Sequence, residues 1–143
     1  MSDILDSEAS LAEFIERFLA GTLPKEVFTH RAHVAMAAWH LLTYPLDEAT
    51  QRIREAIPRF NVSVGGQNTD TGGYHETLTI LWIRLVNAHL AAQARGVLLE
   101  RVRDVTEYFA AQRDVFRQYY SFDVVKSVEA RRSWIPPDLK ELP

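Results

Sequence analysis

The chain has 143 residues, a formal net charge of −3 and no cysteine. That length suits one domain, and such a chain buries roughly two thirds of the surface its unfolded form exposes, so it needs no covalent staple to fold. The charge offers no basic excess to neutralise a phosphate backbone, which argues against nucleic-acid binding, and the lack of cysteine excludes disulfides, thiolate metal ligands and a cysteine nucleophile.

The opening residues, MSDILDSEAS, are acidic and lack the basic-then-apolar order of a signal peptide. Charges interrupt every apolar run before it reaches membrane-spanning length. The expected setting is therefore the cytoplasm, with no membrane partner. No repeat, low-complexity segment or linker divides the chain, which reads as a single helical domain over residues 1–143.

The first helix is expected from about Ser10 to Ala20. Ser10 and Glu13 have capping-box spacing, Leu11, Phe14, Ile15, Phe18 and Leu19 form an apolar stripe, and Gly21 is a natural stop. Thr29 is a good cap for a second helix from about His30 to Thr43, ended by Tyr44-Pro45. Asp47 is expected to cap a third helix running to about Phe60, with Pro58 kinking or closing it. Asn61 to Tyr74, NVSVGGQNTDTGGY, is then a long Gly-rich loop of the kind often found over functional sites, and a flexible lid is one reading of it.

A fourth helix, about His75 to Arg95, is apolar around most of its circumference and reads as central. A fifth runs from about Leu98 to Ala111, and Asp114 to Arg132 reads as a further helix, broken near Ser121. The tail IPPDLKELP is expected to pack as an extended strap, because its prolines prevent helix. No segment alternates with period two. The fold class is all-α: a single-domain bundle of four to six helices with a long Gly-rich loop before the central helix.

Chemistry, on this reading, centres on three histidines. His30 and His33 stand three apart at a helix start and so share a face. His75 starts another helix directly after the Gly-rich loop. Two histidines from one helix and a third from a second is a familiar way to build a site between helices, and three nitrogens with an open fourth position is the arrangement of a catalytic zinc. The expectation is a divalent metal (zinc, iron, nickel or manganese) on His30, His33 and His75, with Glu76 as a fourth ligand or general base. Asp70 is an alternative carboxylate. Thr79, one turn beyond His75, either points its hydroxyl into the same site or bonds its own backbone. Each histidine also has a structural reading, as a cap, a core residue or a partner of the loop.

His40 lies seven residues after His33, ~10 Å further along the helix at 1.5 Å per residue, and reads as lining or core. His89 reads as structural or surface. Trp39 and Trp82 either wall an apolar pocket or belong to the core. Arg131 either meets an anionic substrate or clamps the tail through Asp138. The sequence has neither a GxxxxGK[ST] loop, a GxSxG elbow nor an HExxH pair, so P-loop, serine-hydrolase and zincin chemistry have no support.

The segments FTHRAHVAMAAWHLL, YPLDEA, GGYHETLTILW, YYS, EARRSW and PPDLKELP resemble a family of small uncharacterised bacterial helical proteins. The resemblance spans the chain from about Phe28 to its end, and its distinctive parts are FTHxxHV and YHET. It implies no substrate. It implies that His30, His33, His75, Glu76 and Thr77 belong together. The leading expectation is a small metal-binding protein that acts as an enzyme on a small molecule. The alternatives are a non-enzymatic module binding a small ligand or a protein, and a structural subunit that forms a homodimer.

Overall fold

The computed structural model describes residues 3–93 and 95–143. Among these the chain is all helical: α1 (Glu8–Ala20), α2 (His30–Thr43), α3 (Leu46–Ser63), α4 (Glu76–Ala92), α5 (Leu98–Phe109) and the short α6 (Val128–Arg132), with 3₁₀ turns at Lys25–Val27 and Val115–Gln118. No described helix is long and apolar enough to cross a membrane.

The helix ends follow local chemistry, with some shifts from the sequence reading. The cap of α1 is Ser7, not Ser10: the Ser7 hydroxyl oxygen accepts the Ser10 N–H at 3.0 Å, which draws Glu8 and Ala9 into the first turn. Gly21 ends the helix at φ 74°, a left-handed conformation that glycine adopts without strain. Thr29 caps α2 as expected, accepting the Ala32 N–H. α3 begins directly after Pro45, so Asp47 lies inside its first turn rather than capping it. α3 also continues through Pro58 to Ser63. Proline removes one N–H from the ladder, but buried Ile57 and Phe60 hold the last turns against the core.

The expected helix from Asp114 to Arg132 is mostly not one. Tyr119 and Tyr120 are drawn into the core, and the Tyr119 carbonyl accepts the N–H groups of Asp138 and Leu139 from the tail instead of a helical donor. A 3₁₀ turn, an irregular stretch and α6 result. The tail does act as a strap. The Tyr120 hydroxyl donates to the Ile135 carbonyl at 2.6 Å, and the Asp138 carboxylate accepts the Ser121 N–H and hydroxyl.

α2 shares the centre of the bundle with α4. Its buried residues Ala32, Val34, Ala35, Met36, Ala37 and Ala38 leave little uncovered surface, and α5, α3 and α4 all pack against it. Four alanines allow the close approach of neighbours on several sides. α4 touches the same partners and carries α6 on a further side. At one end Phe18, Phe28 and Phe60 form an aromatic cluster with centroids 4.8–5.2 Å apart. Phe28 turns its other side to His33, which places the first turn of α2 at the edge of a cavity.

Candidate functional site

Between α2, α3 and α4, below the loop that precedes α4, lies a cavity of about 490 Å³. Phe28, Met36, Ile53, Ile57, Leu78, Trp82 and Val86 provide its apolar walls, and His30, His33, Asn61, Tyr74, His75, Thr79 and Arg113 bring polar groups to it. A mostly apolar concavity of this size with a few converging polar groups is the usual form of a small-molecule site. All three histidines singled out in the sequence line it. Their ring nitrogens, however, are committed differently.

His75 is 7% exposed and occupies the cap position of α4. Its Nδ1 accepts the Leu78 N–H at 3.1 Å, and its Nε2 donates to the Val124 carbonyl at 2.8 Å. An amide can only donate and a carbonyl can only accept, so the ring is the neutral Nε2–H tautomer with both nitrogens used. Burial holds its pKa below the ordinary histidine value, reinforced by the Arg131 guanidinium and opposed by the Val124 carbonyl.

His30 and His33 differ from it. The His30 Nε2 donates to the Phe109 carbonyl at 2.9 Å, at the end of α5, where that oxygen also accepts the Gln112 N–H, and leaves Nδ1 with a free lone pair. The ring meets Trp82 edge-on at 5.0 Å. The His33 Nδ1 donates to the Thr29 carbonyl at 2.8 Å, which leaves Nε2 free. Phe28 stacks on the His33 ring at 3.7 Å. His33 remains water-accessible although protein crowds it, as befits a wall of an open cavity. That crowding lowers its pKa, the Thr29 carbonyl opposes the shift, and the neighbouring His30 and Arg113 side chains add to it.

The carboxylates expected near the histidines are engaged elsewhere. Glu76 pairs with Arg54 at 2.7 Å and accepts the Tyr74 hydroxyl at 2.5 Å. It faces α3 and does not line the cavity. Burial, then the bond to Glu76, raises the Tyr74 pKa far above its ordinary value. Asp70 is exposed and pairs with Arg132 at 2.5 Å. Thr79 does line the cavity, but its hydroxyl donates to the His75 carbonyl at 2.8 Å, the backbone-bonded alternative. Among the described residues no group of three or more His, Cys, Asp and Glu side chains is placed to hold one ion. For His75 to join a metal, either its cap bond to Leu78 or its bond to Val124 would have to break.

The loop over the cavity is tied down from several sides. The Asn68 Oδ1 accepts the Tyr74 N–H at 2.9 Å and the Asn61 amide at 3.0 Å, and its Nδ2 donates to the Pro58 carbonyl. Gly73 sits at φ 81°, where a Cβ would lie 2.3 Å from the Gln67 carbonyl oxygen. Arg131 donates to the carbonyls of Gly73, Tyr74 and Val125, so it clamps this loop rather than the tail or a substrate. His40 is buried core, donating to the Met36 carbonyl, and His89 pairs with Asp104 on the surface. Of the two tryptophans weighed as pocket walls, Trp82 is one and Trp39 packs against His40 and Tyr44 instead.

Arg113 and Asn61 had no signal in the sequence. Arg113 lies in the turn after α5, outside any helical period, and Asn61 in the last turn of a helix expected to end before it. Comparison with known proteins gave no match: no family model, no curated protein and no solved structure matches the chain.

Proposed function

We infer that the protein binds a small, largely apolar molecule in the cavity between α2, α3 and α4, with the His30–His33 corner as its polar contact. One observation carries this reading: the cavity combines apolar walls with the free His30 Nδ1 and His33 Nε2, whereas His75 and the hydroxyls of Tyr74 and Thr79 are already paired. Unpaired polar atoms facing a cavity are complementary to a ligand, since a ligand bearing no partner for them would bury them at a cost. Leu78 lines the same space and is only half-buried, so enlarging it should narrow the cavity without crowding the core. Titration with a fluorescent apolar dye should give saturable binding to the wild type. Leu78→Trp should weaken that binding by about tenfold, with urea stability unchanged. Absence of saturable binding to the wild type would overturn the reading.

A metal remains a second reading of the same corner, supported by those same two lone pairs. Two imidazoles on one helical turn would hold the ion, water or ligand would complete its shell, and it would supply Lewis-acid polarisation of a bound group. Dialysis against zinc, iron, nickel or manganese followed by elemental analysis should then return roughly one ion per chain, lost in His33→Ala. An unchanged metal content in that variant would remove this reading and leave the metal-free pocket.

A further inference from the structure

We propose that the ligand of this cavity is a monoanionic carboxylate on an apolar body, and that Arg113 receives the carboxylate beside His33. The proposal rests on the small-molecule reading above and gives it a chemical class.

Charge at the cavity is one-sided. Its lining includes Arg113 and three histidines but no aspartate or glutamate. The nearest carboxylate in sequence to a lining histidine, Glu76, is not among the lining residues: Arg54 neutralises it and the Tyr74 hydroxyl donates to it. Arg113 itself forms no salt bridge among the described residues, and of the arginines it is the one that lines the cavity. It is close enough to His33 to act on it electrostatically. The first turn of α2, which carries His30 and His33, adds the positive end of a helix dipole to the same corner. A guanidinium without a partner at the rim of an apolar cavity is suited to the planar, two-oxygen face of a carboxylate.

The rest of the ligand follows from the walls. Phe28, Ile53, Ile57, Leu78, Trp82 and Val86 offer no hydrogen bond from their side chains apart from the indole N–H, so the body of the ligand is hydrocarbon or aromatic. The same scarcity disfavours a phosphate. A phosphate carries more charge and more acceptor oxygens than a carboxylate, and beside Arg113 each imidazole has only one nitrogen left to offer it. His33 meets the carboxylate in either of two ways: as imidazolium it donates from Nε2, and as neutral imidazole it accepts from a hydroxyl next to the carboxylate.

The test uses the full chain and matched probes that differ only in charge: octanoate with octanamide, phenylbutyrate with phenylbutyramide, and indoleacetate with indoleacetamide, each followed by calorimetry and thermal shift. At least one carboxylate should bind about tenfold or more tightly than its amide, the range expected of a charged hydrogen bond. Arg113→Gln should abolish that preference, through a loss of carboxylate affinity. Arg117→Gln, which removes an exposed arginine from the neighbouring 3₁₀ turn, should leave the preference intact. Equal binding of acid and amide, or a preference that survives Arg113→Gln, would overturn the carboxylate proposal while the cavity keeps its role. If no probe, charged or neutral, binds, the small-molecule reading falls with it.

Discussion

His75 and His33 both stand at helix starts, both line the same cavity and both have pKa values held below the ordinary one, yet they do opposite work. His75 belongs to a wall in which polar groups are paired. Its two nitrogens bridge the Leu78 amide and the Val124 carbonyl, the Thr77 hydroxyl bridges the Ser133 carbonyl and the Ile135 amide, and Arg131 holds three carbonyls of the loop and the segment before α6. His33 belongs to a wall where a ring nitrogen and a neighbouring guanidinium have no partner. A histidine with both nitrogens satisfied by backbone is a structural part, however functional its sequence position looks. A histidine with one nitrogen free in a cavity is available for chemistry. The comparison can be broken by exchanging the cost of losing each one.

The largest effect should come from His75→Ala. It removes a helix cap, worth about 1 kcal/mol, and leaves the Val124 carbonyl buried without a donor, worth about 1–3 kcal/mol more. Urea unfolding should show a loss of roughly 2–4 kcal/mol. His33→Ala, whose ring is solvent-accessible and whose single bond is to a carbonyl of its own helix start, should cost no more than about 1 kcal/mol. Equal losses would erase the distinction between the two walls.

Gly73→Ala sharpens the same point at the loop. A left-handed residue that is not glycine is strained by roughly 1–3 kcal/mol, and the added Cβ also meets the Gln67 carbonyl and Asn68. The expected loss is of that order, with increased exchange of the Tyr74 amide hydrogen as Asn68 lets go. Thr77→Val comes next. It keeps the shape but deletes both links to the C-terminal strap, and a loss of about 1–2 kcal/mol is expected in the same unfolding assay.

Much of the fold was legible in the residues because it rests on local rules. The Thr29 cap, the Gly21 stop, the extent of α2 and the apolar circumference of α4 follow from spacing and capping chemistry alone. What was not legible depends on partners distant in sequence. Tyr119 and Tyr120 leave the helical pattern because the tail supplies their hydrogen bonds. The grouping of His30, His33 and His75 around one space was readable from spacing on two helices, but their availability was not. The acceptors that occupy His30 and His75, Phe109 and Val124, lie 79 and 49 residues away. Glu76 follows His75 directly, yet adjacent residues at a helix start diverge, and Glu76 is taken up by Arg54 and Tyr74.

The pH dependence of stability tests the histidines as a set. His33, His40 and His75 all have folded-state pKa values below their ordinary value, because protein packed around each ring displaces water from it. The folded protein therefore binds fewer protons than the unfolded chain as pH falls below about 6.5, the ordinary histidine value. Their neutral forms stabilise the fold fully above that pH, and the contribution is lost as pH drops towards each folded value. The lowered carboxyls of Asp3, Asp70 and Asp138 act only further down, below about 4. The melting temperature should be flat from pH 8 to about 7 and decline from about 6.5 to 5. Substituting exposed His33 should soften that decline less than substituting buried His40. A flat profile through this range would show that the rings accept protons without opposing the fold.

The smallest effect should be that of Arg132→Ala. Its partner Asp70 lies at the tip of the loop and both side chains are at least half exposed, so water and salt screen the pair even though the geometry is two-pronged. If the loop is held over the cavity by its other ties, Arg131, Asn68 and the Gly73 turn, removing this outer pair should leave unfolding in urea within error of the wild type. The dye affinity of the cavity should be equally unaffected. A measurable fall in dye affinity without a fall in stability would mean that the loop opens and closes on its outer contact. In that case the paired wall would be the moving one, and the contrast between a fixed wall and a receptive wall would have to be redrawn as one between a lid and its seat.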